Sequence, residues 1–302
     1  MHKPQRSAAC LAAAMALLAG AAPSAQAQDV QPTLKRVAES GTFRVSYRES
    51  SVPFSYLDGT KPVGFAMDLC AHITDAVKAK LKKPDLKVQL EPVTSANRMP
   101  LLINGTIDIE CGSTTNNSVR REQVDFAINH YYTGTRLLTK KTSGVKNWPD
   151  LKGKRVSTTT GTTNFQVLRK YNIEKGLNLD VVAGKDHADS LLLVEGDRAV
   201  AFAMDDILLY GLAANSKNPA EWTVVGDPLQ VEPYAIMLRK NDPEFKKLVD
   251  DTMVSLIRSG EFERLYKKWF LSPIPPHNVN LNVPMSDELK QNMKTPTDKP
   301  AI

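Results

Sequence analysis

The chain has 302 residues, of which 42% are hydrophobic and 24% charged, enough apolar material for one large or two smaller packed domains and too much for a disordered polymer. Its formal net charge is +6, with no Lys/Arg run longer than two residues and no aromatic-studded basic stretch, which argues against a nucleic-acid surface. There is no C-x-x-C or H-E-x-x-H spacing and no phosphate-binding glycine fingerprint, so no metal and no cofactor is expected.

Residues 1–28 read as a cleavable export signal. Lys3 and Arg6 precede an apolar run from Ala8 to Ala22, and Ala25-Gln26-Ala27 supplies the small-x-small pattern that a signal peptidase cuts. The run, at roughly 15 residues, falls short of the roughly 20 that a membrane span needs. Cys10 lies inside it and Gly20 is followed by Ala21 where a lipoprotein signal would need cysteine, so no lipid anchor is expected. Export leaves Cys70 and Cys111 in a compartment where disulfides persist. Cys70 falls on an expected helix and Cys111 on an expected strand, so a bridge and two buried thiols both stand.

After the signal, short apolar runs alternate with helical patterns. Phe43 to Ser46 reads as strand, Gly64 to Leu81 as amphipathic helix, Val88 to Val93 as strand, Arg98 to Asn104 as a short helix and Ile107 to Cys111 as strand. A turn-rich stretch, Lys140 to Lys154, precedes a second series. It comprises strand Arg155 to Thr159, helix Thr163 to Tyr171, strand Asp180 to Val182, helix Ala188 to Glu195 and strand Ala199 to Met204. A strand at Tyr234 to Leu238, helices Pro243 to Ser259 and Glu261 to Phe270, and a Pro-rich tail from Ser272 follow, and this last part is expected to return to the first unit. The pattern is α/β, with largely parallel sheets and ligand chemistry at the carboxyl ends of the strands.

What stands at those strand ends is chemically coherent. Arg48 follows the first strand, Ser95 and Arg98 follow Val93, Ser113 and Thr115 follow Cys111, and Arg120 comes soon after. In the second unit Thr162 and Thr163 open a helix, His187 follows Val182, and Asp205-Asp206 follow Met204. Three guanidinium forks match carboxylates, hydroxyls add short hydrogen bonds, and a helix start favours an anion. Asp205, the single acidic group in this cationic set, suits an ammonium. Taken singly, each residue has an ordinary role: a surface arginine, a helix cap or a loop histidine.

The strings Arg48-Glu-Ser-Ser-Val-Pro-Phe-Ser-Tyr56, Glu110-Cys-Gly-Ser-Thr-Thr-Asn-Asn117, Gly134-Thr-Arg-Leu-Leu-Thr-Lys-Lys141, Lys185-Asp-His-Ala-Asp-Ser190 and Met204-Asp-Asp206 closely resemble the periplasmic glutamate/aspartate-binding proteins of ABC importers. The likeness runs from about Leu34 to Asp287. It implies a type II periplasmic binding fold, two Rossmann-like lobes joined by two crossing hinge strands. The first lobe would hold residues 29–133 with 235–302, the second 134–234. It further implies Arg120 on the ligand's α-carboxylate with Thr115 and Thr163 assisting, Asp205 and Ser113 on the α-ammonium, and Arg48, Ser95, Arg98 and His187 on the side-chain carboxylate. L-Glutamate or L-aspartate would be carried to an inner-membrane ABC permease by a periplasmic monomer. Three arginines, one aspartate and a titratable histidine match two carboxylates and an ammonium with one cation to spare. An enzyme on the same scaffold, such as a dehydratase of a cyclic carboxylic acid, would need a positioned acid or base. His187 has no evident nucleophile partner for that. A sensor built on the same binding module is the other alternative.

Overall fold

The structure, a computed structural model, describes residues 31–301. The expected signal segment, residues 1–28, lies outside the described residues. Among the described residues no helix is long and apolar enough to cross a membrane.

Two sheets organise the chain. In the first, strands run in the order Lys87–Pro92, Thr42–Tyr47, Ile109–Glu110, Met237–Arg239, Val124–Phe126. The first three are parallel and Met237–Arg239 enters antiparallel between its neighbours. In the second sheet the order is Asp180–Gly184, Arg155–Thr159, Ala201–Asp205, Tyr131–Lys140, Trp222–Val225. Here Arg155–Thr159 is parallel to its two neighbours and Tyr131–Lys140 is antiparallel to its own.

The helices form where apolar side chains recur on one face. Phe65–Leu81 buries Phe65, Leu69, Cys70, Ile73 and Val77, spaced to line one side of a 3.6-residue period, and ends at Lys82 in the left-handed conformation. Pro243–Ser259 starts with a proline in its first turn, is capped by the Asp242 side chain at the Phe245 N–H, and stops at Gly260, whose φ is 79°. It packs on Phe65–Leu81, beside the first sheet.

Two strands cross between the sheets. Tyr131–Lys140 pairs through its first residues with Val231–Tyr234, from Val231 opposite Gly134 to Tyr234 opposite Tyr131, and through the rest with Ala201–Asp205 and Trp222–Val225. The sequence reading placed one strand at Tyr234 to Leu238. The structure breaks it in two, because the chain leaves one sheet at Tyr234 and enters the other at Met237. Where the crossing strands meet the first sheet, Phe54, Tyr131, Tyr234 and Phe270 pack edge-on or stacked, with Phe54 5.2 Å from Tyr234 and Tyr131 5.1 Å from Phe270. The crossing strands are thus rooted in a buried aromatic cluster. The tail also reaches it: the Ala301 N–H donates to the Asn116 carbonyl, and Asn129 is bonded to the backbone of Thr297 and Lys299.

Cys70 and Cys111 form a disulfide, the alternative that sequence left open. It ties helix Phe65–Leu81 to the residue just before Gly112-Ser113-Thr114-Thr115.

Candidate functional site

All nine residues singled out from sequence are buried, and they converge where the two lobes face each other. Arg48 leaves the end of strand Thr42–Tyr47, its N–H held by Ser55 Oγ at 2.8 Å. Its guanidinium is wholly buried, and Nη2 donates to Asp186 Oδ1 at 2.7 Å and lies 3.3 Å from His187 Nε2. Ser50 Oγ donates to the other Asp186 oxygen at 2.6 Å. Asp186 and His187 stand on the second lobe, so these bonds join the lobes directly.

His187 is a neutral ring. Burial first, then the adjacent Arg48 charge, push its pKa down to about 3. A neutral imidazole accepts at one nitrogen and donates at the other. Nε2 therefore accepts from Arg48, and Nδ1–H donates to Thr159 Oγ1 at 3.0 Å. The titratable histidine expected on the ligand's carboxylate is here a bonded neighbour of Arg48. Burial also opposes ionisation of Asp186, but the Arg48 charge and the Ser50 hydroxyl overcome it and hold its carboxyl below the ordinary range.

Arg98 opens helix Arg98–Ile103 and is 3% exposed. Burial, then the nearby Arg120 charge, lower its pKa to about 9 against the opposing pull of Glu110, whose Oε1 is 3.9 Å from Nη1. Arg120 Nη1 donates to the Thr115 carbonyl at 2.9 Å, and Nη2 reaches the Gly161 carbonyl of the other lobe at 3.4 Å. Asp205 ends strand Ala201–Asp205. Burial and the neighbouring Glu232 raise its carboxyl well above the ordinary range, while Oδ2 accepts from the Tyr234 hydroxyl. Thr162 caps helix Thr163–Lys175 through Phe165 N–H, and Thr163 donates its hydroxyl to Glu232.

The lobes touch closely. A Cβ on Gly161, whose φ is +79°, would lie 2.6 Å from Ala96 Cα, and one on Gly211 would lie 2.5 Å from the Val52 carbonyl oxygen. Only glycine permits either approach. Within this interface several buried polar atoms have no partner in the protein: Nε and Nη1 of both Arg48 and Arg98, the hydroxyls of Ser95 and Ser113, and Asp205 Oδ1. Buried groups of this kind need partners, and donors of this number suit a carboxylate.

Sequence reasoning missed three acids. Asp186, Glu110 and Glu232 all lie among these residues, so Asp205 is not the only acidic group and no cation is spare. Glu110 sits inside an apolar strand run and Glu232 on a crossing strand, where nothing in the local pattern marks a site. Asp186 adjoins His187 and could have been noticed on that ground. Among the described residues no cluster of His, Cys, Asp and Glu could hold a metal ion.

Residues 43–272 match the model of the bacterial extracellular solute-binding proteins, family 3. The chain belongs to that family. The glutamate/aspartate import solute-binding protein of Salmonella typhimurium is 51% identical, over 96% of this chain and 97% of its own length. The L-glutamate/L-aspartate-binding protein of Pseudomonas aeruginosa is 49% identical over 91% of this chain and 92% of its own length. An ancestral arginine-binding protein bound to arginine superposes with a TM-score of 0.68 at 27% identity, over 76% of this chain and 98% of its own. A mutant of ArgBP from T. maritima, at 24% identity, has a TM-score of 0.70 and covers 78% of this chain and 98% of its own. This family 3 protein therefore has the type II periplasmic binding fold, two α/β lobes joined by two crossing strands.

Proposed function

We propose that this protein captures L-glutamate or L-aspartate between its lobes in the periplasm and delivers it, as a monomer, to the permease of an ABC importer. Residues 29–133 and 235–302 would form one lobe and 134–234 the other. The observation that carries the reading is the pair of buried guanidinium groups, Arg48 and Arg98, whose Nε and Nη1 atoms, like the Ser95 and Ser113 hydroxyls, have no partner in the protein. The high identity to relatives named for glutamate and aspartate agrees with it. Arg48, Arg98 and Ser95 would take the side-chain carboxylate with His187 orienting Arg48, Arg120 the α-carboxylate with Thr115 and Thr163 assisting, and Asp205 and Ser113 the α-ammonium.

Binding is favoured over catalysis because both His187 nitrogens are bonded, to Arg48 and to Thr159, which leaves none to move a substrate proton. A ligand that bridges the lobes would stabilise their contact, and the importer would dock that form.

The test is Arg98→Ala. Removing one partner of a buried charge pair costs about 3–5 kcal/mol, so glutamate affinity should fall on the order of 10²–10⁴-fold in isothermal titration while the thermal transition stays cooperative. Near-unchanged affinity would refute the placement of the ligand.

A further inference from the structure

Glu232, in the crossing strand Val231–Tyr234, is fully buried. Its Oε2 accepts from Thr115 Oγ1 at 2.5 Å and from Thr163 Oγ1 at 2.6 Å, and its Oε1 accepts from Gln230 Nε2 at 2.5 Å. Thr115 follows a strand of the first sheet and Thr163 opens a helix of the second lobe. One hinge carboxylate thus gathers a hydroxyl from each side of the cleft.

The direction of these bonds has a chemical consequence. A hydroxyl carries one proton and two lone pairs, and a carboxylate only accepts. With both protons committed to Glu232, Thr115 and Thr163 offer a ligand lone pairs alone. Their oxygens are 3.3 Å apart, and Asp205 Oδ1 is a further buried oxygen without a partner, which accepts once an ammonium beside it ionises the carboxyl. Asp205 is close enough that Glu232, after burial, helps to raise its carboxyl. Such a group of acceptors fits an ammonium and repels a carboxylate, which is left to Arg120 and the backbone N–H groups at the start of helix Thr163–Lys175.

We propose that Glu232 is a positioning residue that fixes the polarity of the Thr115 and Thr163 hydroxyls, making them acceptors for the ligand's α-ammonium and so making the site select for an amine. This rests on the acidic amino-acid reading above, and it moves the two threonines from the α-carboxylate to the ammonium.

The test is isothermal titration of the mature chain, stripped of ligand by unfolding and refolding, with L-glutamate and with glutarate at millimolar concentration, which keeps both carboxylates and lacks the amine. Glu232→Met keeps the length of the side chain and removes the acceptor. It should weaken glutamate by about 10- to 100-fold and change glutarate by less than about threefold. Glu232→Gln, whose single amide oxygen still accepts but carries no charge, should weaken glutamate severalfold, less than Glu232→Met does, and leave glutarate unchanged. In a Thr115→Val background the cost of Glu232→Met should shrink to less than half on a logarithmic scale. Equal losses for glutamate and glutarate, or an undiminished cost in the Thr115→Val background, would overturn the proposal. If Glu232→Met fails to fold, the Glu232→Gln chain decides: a loss of glutamate without loss of glutarate supports the proposal, and equal losses overturn it. Failure of the unsubstituted chain to bind glutamate would sink the functional reading instead.

Discussion

Breaking the Cys70–Cys111 bridge tests the link between the scaffold and the site. The two cysteines are 41 residues apart in sequence. On the chain-entropy account, a loop of that length restricts the unfolded chain by about 13 cal/mol/K, or about 4 kcal/mol at 25 °C. For a protein of this size each kcal/mol moves the melting temperature by about 2–4 °C, so the reduced chain should melt roughly 8–16 °C lower. Cys111 directly precedes the loop that carries Ser113 and Thr115, so glutamate affinity should fall severalfold as well. The assay is scanning calorimetry and titration of the oxidised chain against chain refolded with its thiols alkylated, with thiol counts on both. Two free thiols in the oxidised protein, or melting temperatures within about 2 °C of each other, would refute the reasoning.

Acid should destabilise the ligand-free protein before its carboxylates titrate. Burial pushes His130 and His187 from 6.5 down to about 3, so below pH 6.5 the unfolded chain binds protons that the native state refuses. Stability is then lost as pH falls from 6.5 toward 3, by up to about 1.4 kcal/mol per pH unit for each histidine. Urea unfolding at several pH values measures the slope, and His130→Phe, placed among Phe54 and Phe65, should roughly halve it. Gly161→Ala would set a methyl against the Ala96 backbone, so glutamate affinity should drop at least about tenfold while each lobe stays folded. An unchanged dissociation constant would mean that the lobes do not need this contact.

Much of the scaffold was legible because it follows from periodicity. The apolar positions of Phe65–Leu81 repeat on one helical face, and the candidate ligands all follow predicted strands, where α/β folds bind. Two elements left no such signal. Tyr131–Lys140 changes partners part-way and is buried on both faces over much of its length, so strict alternation is lost. Helix Asp206–Ala214 is apolar nearly all round and contains Gly211, which reads as a breaker until the Val52 backbone is seen against it. The partners of the site were hidden for a different reason. Asp186 meets Arg48, and Glu232 meets Thr115 and Thr163, only because distant parts of the chain are brought together. The positions of the cations were a local property, and their counter-charges were a tertiary one.

The central claim is that the cleft holds an acidic amino acid by both carboxylates and its amine. Isothermal titration of the mature, ligand-stripped protein with glutamate, aspartate, glutamine and arginine tests it most directly. Tight one-to-one binding of glutamate or aspartate, with glutamine weaker by at least about a hundredfold because the unpartnered donors of Arg48 and Arg98 would be left without a carboxylate, is the predicted result. Binding of glutamine or arginine as tight as that of glutamate, or no binding of either acidic amino acid by the folded chain, would contradict the account.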